Sequence, residues 1–199
     1  MIDTNRHEHL KIKICISGSA DMSNLPPHVH ESAKIIGATI ANHGCVAMTG
    51  ATTGYPFWAA KGAKDAGGMS IGLSPAVSER EHVEGYKLPL DYMDLIIYTG
   101  FGYPGRDLLL VRSSDAVITG PGRIGTFHEF TVAYETEMPM GILESDDWET
   151  DDIIKTILAK SNRPTDHIIF DKDPQKLVER IIEMVKKAKV NDTYKKKAY

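Results

Sequence analysis

Gly120, Gly122 and Gly125 stand in the run Gly120-Pro121-Gly122-Arg123-Ile124-Gly125-Thr126, which follows the apolar segment Ala116-Val117-Ile118. Read as a strand, a tight loop and the start of a helix, this order suits an anion. Glycines let backbone N–H groups approach a ligand closely, and a helix N-terminus adds unpaired donors and a positive partial charge. Thr126 adds a hydroxyl, Arg123 a full charge at the rim, and Ile124 a further backbone donor. Phosphate is the natural ligand of such a place. Two other readings stay open at this point. The turn can join strand to helix with no ligand at all. Gly120-x-Gly122-x-x-Gly125 also spells the dinucleotide fingerprint, with Glu144 beyond the next strand as its acidic partner. Against the fingerprint, the motif lies past mid-chain, whereas the fingerprint opens its domain at the first strand. His128 and Glu129 are also polar where close apolar packing on the sheet is expected.

The elements that must position this loop alternate along the chain. Short apolar runs at residues 11–16, 45–48, 69–73, 94–98, 115–119, 139–143 and 167–170 read as strands. Amphipathic segments at 28–42, 56–66, 106–113, 126–137, 150–159 and 174–187 read as helices. Gly44 stands at the usual helix-stop position after the first of them. Strands that are apolar throughout are buried on both faces, as in a parallel sheet covered by helices. The expectation is a doubly wound, Rossmann-like α/β fold. Residues 74–92 form a long polar connection of the kind that carries function.

The 199 residues fit one domain, with residues 1–10 and about 190–199 as loose tails. A net charge of −4 and the lack of a basic stripe argue against duplex nucleic acid as a partner. Lys195-Lys196-Lys197 reads as a solvated charge run. Cys15 and Cys45, each in an apolar run, read as reduced core thiols, and the absence of clustered Cys and His gives no case for a metal. With no signal-peptide core and no apolar stretch of spanning length, the expected setting is the cytoplasm, away from membranes.

The segment Pro121-Gly122-Arg123-Ile124-Gly125-Thr126-Phe127-His128-Glu129 resembles the signature Pro-Gly-Gly-x-Gly-Thr-x-x-Glu of the LOG ("Lonely guy") family. These are cytokinin riboside 5′-monophosphate phosphoribohydrolases, long mislabelled lysine decarboxylases. The family's catalytic arginine precedes the signature proline by fifteen positions, where this chain has Arg106. Asp115-Ala116-Val117-Ile118 is similar to the strand between them, and Ile14-Cys15-Ile16-Ser17-Gly18-Ser19 to the family's first strand and Gly-Ser loop. The chain departs from the pattern in three places. Arg123 replaces the second glycine of the signature, and Asp107 replaces the lysine that follows the arginine. The family's second glycine-rich segment survives only as Thr49-Gly50-Ala51-Thr52-Thr53-Gly54-Tyr55-Pro56.

The resemblance implies a homodimer that cleaves a nucleoside 5′-monophosphate such as AMP to free base and ribose 5-phosphate, with no metal and no cofactor. It implies that Arg106 and Glu129 are catalytic. Gly18, Ser19 and Gly50 would join residues 120, 122 and 123–126 in binding the nucleotide. The chemistry is coherent: loss of a base builds positive charge on ribose, which a carboxylate can stabilise while orienting water. Arg106 could hold that carboxylate or the ribose hydroxyls. Taken alone, Thr126-x-x-Glu129 is also a capping box, and Arg106 a surface ion pair at a helix start. The alternative function is a protein that binds or senses nucleotides without turnover. Among other residues, His28 and His30 read as solvated, and Phe57 and Trp58 as core or subunit contacts. Tyr98, Phe101 and Tyr103 are open between holding a base and simple packing.

Overall fold

The computed structural model describes residues 10–190. Seven strands form one parallel sheet: β1 (Lys13–Ser17), β2 (Val46–Thr49), β3 (Met69–Ser74), β4 (Leu95–Tyr98), β5 (Ala116–Thr119), β6 (Met140–Leu143) and β7 (Ile168–Asp171). Their order across the sheet is β4-β3-β2-β1-β5-β6-β7. The helices between them are α1 (Val29–Asn42), α2 (Tyr55–Asp65), α3 (Gly102–Ser113), α4 (Ile124–Glu135), α5 (Thr150–Ser161) and α6 (Pro174–Val190). The expected doubly wound α/β fold is the observed one.

Alternation along each strand divides the apolar residues between two cores. Ile14, Ile16, Ala116 and Ile118 face α1, α2 and α6, where they meet Ile36, Tyr55 and Leu177. Cys15, Val117, Met140 and Ile142 face α3, α4 and α5, where they meet Leu110, Phe130 and Ile154. Both cysteines are buried and free. Each core strand thus loses apolar surface on both sides, at roughly 25 cal/mol per Å² removed from water. The edge strand β4 differs: Leu95 and Ile97 remain exposed.

All seven strands and six helices fall where the sequence pattern puts them, with shifted ends. The largest shift is at α3, which begins at Gly102 rather than 106. Gly102 and Pro104 look like loop residues, but proline is tolerated in a first turn because its missing N–H would have no helical partner there. α4 likewise begins two residues early, at Ile124, with Arg123 as its cap residue, so Gly125 lies inside the helix. The connection 74–92 contains a π-helical turn, Glu81–Gly85. It is anchored by the buried His82, whose ring joins Ser74 Oγ (2.8 Å) and the Pro89 carbonyl (3.0 Å). The expected loose tails lie outside the described residues, except that Leu10 is in a bend and Val190 ends α6. Among the described residues, no helix is long and apolar enough to cross a membrane.

Candidate functional site

β1 and β5 are neighbours, paired Ser17 to Thr119 at their carboxyl ends. The chain leaves β1 toward α1 on one face and β5 toward α4 on the other. Such a switch point opens a crevice where α/β proteins bind ligands. Here it is a cleft of about 610 Å³, bordered by Gly18, Ser19, Gly50, Arg106, Thr126 and Glu129 among others. That volume is in the range of small-molecule sites, roughly 300–1,000 Å³.

The loop 120–126 does not act as one cradle. The N–H of Gly120 donates to the Ser17 carbonyl (3.0 Å), and that of Gly122 to Thr150 Oγ1 (2.8 Å). Neither glycine borders the cleft. Gly120 instead backs onto the buried Tyr55 ring, where a Cβ would come within 2.4 Å of a ring carbon. The donors left for a ligand are those of the first turn of α4. The helix enters through Arg123 in extended conformation, with no side-chain cap and no acidic residue in its first turn. Its first hydrogen bond of the i→i−4 kind runs from Phe127 N–H to the Arg123 carbonyl (3.0 Å). The N–H groups of Ile124, Gly125 and Thr126 therefore precede the ladder, and all three residues border the cleft. Arg123 is exposed and reaches across the mouth to Asp21 Oδ2 (3.1 Å). Ser19 borders the cleft, but its hydroxyl donates to the Asp21 carbonyl and its N–H to the Pro121 carbonyl (both 2.6 Å).

The two alternatives left open for the arginine and the glutamate do not match the structure. Thr126 is the third residue of α4 rather than its cap, so Thr126 and Glu129 form no capping box. Glu129 Oε2 instead accepts a hydrogen bond from the buried Ser17 hydroxyl at the end of β1. Arg106 lies in the second turn of α3, only 5% exposed, and is no surface ion pair. Its Nε is 3.1 Å from Asp107 Oδ1, yet the N–H is not aligned on that oxygen and has no hydrogen-bond acceptor. Gly50 makes room for the guanidinium: a Cβ there would fall 1.4 Å from Nη1. Any side chain at position 50 would expel Arg106 from its place.

Burial of Glu129 raises its pKa to about 7; Arg106 opposes the rise, Asp107 adds to it and the Ser17 hydrogen bond opposes it. A carboxyl group that titrates near neutrality inside a cleft is the kind of group that catalytic sites contain. Beside it on α4, His128 borders the cleft and meets Asp107 Oδ2 through Nδ1 (3.1 Å).

The remaining expectations separate cleanly. Tyr103 borders the cleft and lies under the Arg106 guanidinium, 5.6 Å from ring centroid to Cζ. Tyr98 and Phe101 do not border it. Trp58 packs partly buried against the α1–α2–α6 core with His30 against its ring, and His28 pairs with Asp147 (2.8 Å). Glu144 is outside the cleft, bonded to Lys155 (2.9 Å). Sequence reasoning missed Ser17, Asp107 and His128 as site residues. Ser17 was legible as the polar residue at the carboxyl end of the first strand. The Asp107–His128 contact joins two helices and leaves no local spacing signal.

A solved structure of the molybdenum cofactor binding protein of Rippkaea orientalis superposes with a TM-score of 0.71 and 26% identity, over 88% of this chain and 98% of that one. The molybdenum cofactor carrier protein of Chlamydomonas reinhardtii gives 0.69 and 23%, over 88% and 99%. DNA processing protein A of Helicobacter pylori, a single-stranded DNA binder, gives 0.60 and 16%, over 87% and 81%. At such identities the last two show a shared fold alone. An uncharacterized protein of Archaeoglobus fulgidus is 34% identical over 98 residues, 49% of this chain and 59% of that protein. The match thus spans little more than half of that relative. The SLOG cluster4 family matches residues 11–178, in the same superfamily as the family that the glycine signature resembles. The chain therefore belongs to the SLOG cluster4 family.

Proposed function

We propose that this protein is a nucleoside 5′-monophosphate phosphoribohydrolase, releasing a free base and ribose 5-phosphate. The observation that carries the reading is the pairing of two buried groups in one cleft. Arg106 has a buried guanidinium Nε without a hydrogen-bond partner among the described residues, and Glu129 has a carboxyl group that titrates near 7. A buried N–H left without an acceptor is costly, and a ligand in the cleft could complete it. In this reading the first turn of α4 holds the phosphate, with Thr126 adding its hydroxyl. Arg106 holds ribose hydroxyls, and ionised Glu129 stabilises the ribosyl cation and orients water. The test is a panel of nucleoside monophosphates assayed for free base by chromatography. Release from at least one monophosphate and from no nucleoside is expected; release from none refutes the reading.

A second reading is a carrier or sensor that binds a phosphorylated ligand without cleaving it. The Rippkaea protein, a cofactor binder alike over nearly its whole length, favours it. Binding of a monophosphate with no turnover would select this reading.

We also place the protein in the cytoplasm as a homodimer. Leu95 and Ile97 align in register with Ile71 and Leu73, so they lie on the α3 side of the sheet. Leu108 and Leu109 of α3 are exposed as well. Apolar surface of this kind fits a second copy. Sedimentation at micromolar concentration should give a dimer.

A further inference from the structure

Resting on the phosphoribohydrolase reading, we propose that His128, oriented by Asp107, is the general acid that protonates the departing base. Three observations support it. His128 borders the cleft one residue from Glu129 on α4. Its Nδ1 is engaged by the carboxylate of Asp107, which is buried, so the ring nitrogen left for a ligand is Nε2; that atom makes no hydrogen bond among the described residues. The imidazole side chain is 40% exposed, so solvent can return a proton after each turnover.

A carboxylate that accepts from Nδ1–H fixes the tautomer and orientation of the ring. Nε2 then carries a proton only in the imidazolium form, which is the acid the reaction needs. A nucleobase leaves poorly as an anion, so glycosidic cleavage depends on protonating a ring nitrogen as the bond breaks. In the proposed step, water forms a bond to ribose C1′ and gives a proton to the Glu129 carboxylate. The C1′–N bond breaks, its electron pair goes to the base nitrogen, and that nitrogen takes the proton from His128 Nε2. Exchange with solvent restores both side chains. Asp107 is a positioning residue: its second oxygen lies 3.1 Å from Arg106 Nε, which ties the orientation of the histidine to the arginine in the same cleft.

The experiment compares AMP, or whichever monophosphate the wild type cleaves best, with 4-nitrophenyl riboside 5′-phosphate. The nitrophenolate leaves without a proton. His128→Gln, with His128→Phe as a second variant, should lower turnover of the nucleotide roughly 100-fold or more and leave KM within about threefold. Turnover of the nitrophenyl substrate should stay within about threefold of wild type. Asp107→Asn should show the same substrate dependence with a smaller loss, about tenfold. Melting curves identify any variant that fails to fold. Equal losses on both substrates, or none on the nucleotide, would overturn the acid role while leaving the phosphoribohydrolase reading intact. Wild-type protein that cleaves neither substrate overturns that reading and the acid role together.

Discussion

Two carboxylates flank β5 at equal burial, each on a residue 7% exposed, and they differ in almost everything else. Asp115 lies just before the strand, at the amino end of the sheet. Burial alone would raise its pKa, but hydrogen bonds from the Lys13 N–H and ammonium, with the charges of Lys13 and Lys189, outweigh that and hold it below the usual carboxylate range. Glu129 lies beyond the strand, at the carboxyl end. Burial again raises the pKa, and here it prevails: Arg106 is shared with Asp107, and one Ser17 hydroxyl is too little to reverse the rise to about 7. Burial therefore does not distinguish a structural charge from a poised one. The supply of partners does. At the amino end the fold gives its carboxylate two hydrogen-bond donors and two ammonium charges; at the carboxyl end it gives Glu129 one hydroxyl and leaves the nearby Arg106 Nε without an acceptor.

The most severe way to break the contrast is Glu129→Gln. Loss of the charge should lower turnover by two to three powers of ten, roughly 3–4 kcal/mol, while AMP affinity in calorimetry stays within about threefold. The same variant reads stability. A carboxyl whose folded pKa is raised contributes fully below its unfolded value, 4.5, and that contribution is lost as pH climbs through about 7. Wild type should therefore lose up to about 3 kcal/mol relative to the glutamine variant between pH 4 and pH 8. Equal slopes of stability against pH would show that Glu129 is not held protonated. A folded variant with unchanged turnover would remove it from catalysis.

Asp115→Asn tests the other member. It should cost about 1–2 kcal/mol at pH 7, modest because the side chains of Lys13 and Lys189 are each more than a third exposed. The sign is opposite to that of Glu129. A depressed folded pKa gives stability that is present above the unfolded value, 3.8, and is lost as pH falls through the folded one. The gap between wild type and Asp115→Asn should thus narrow on acidification in denaturant titrations, and turnover should not change. A widening gap at low pH would contradict the assignment.

Much of this contrast was invisible in the chain itself. The alternation of apolar runs specifies the layers, because strands buried on both faces and helices buried on one carry different periods. Gly120 and Gly122 looked like ligand contacts because glycine marks close approach, but what approaches them is the Tyr55 ring and the Thr126 side chain. Gly50, expected to bind nucleotide, does border the cleft, but what the structure shows of it is the room it leaves for Arg106. The partners that set the pKa of Glu129 come from β1 and α3, twenty or more positions away. No local spacing encodes such contacts.

A smaller effect sharpens the ligand side of the comparison. Thr126→Val removes one hydroxyl at the third residue of α4 and keeps the backbone donors. AMP should bind about fivefold more weakly, near 1 kcal/mol, and adenosine should be unaffected. Equal loss for both ligands in calorimetry would place the phosphate elsewhere.

The smallest expected effect concerns a third carboxylate, Glu144, which separates this site from a dinucleotide site. In a dinucleotide fold the acidic residue after the next strand binds the ribose. Glu144 does follow β6, but it lies one strand beyond the switch point and outside the cleft. Its Oε1 is 2.9 Å from Lys155 Nζ, the first of three carboxylates that hold the lysine well above its usual range. Glu144→Ala leaves Lys155 still paired with Asp151 (3.0 Å) and Asp152 (3.1 Å), so no stranded charge results. Stability should change by no more than about 0.5 kcal/mol, as for other half-exposed pairs. AMP affinity and turnover should be the same as in wild type. A tenfold loss of nucleotide affinity, together with tight binding of NAD by the wild type, would mean that the ligand extends along the sheet past β6. The cleft between β1 and β5 would then be only half of the site, and Glu129 would need a different role.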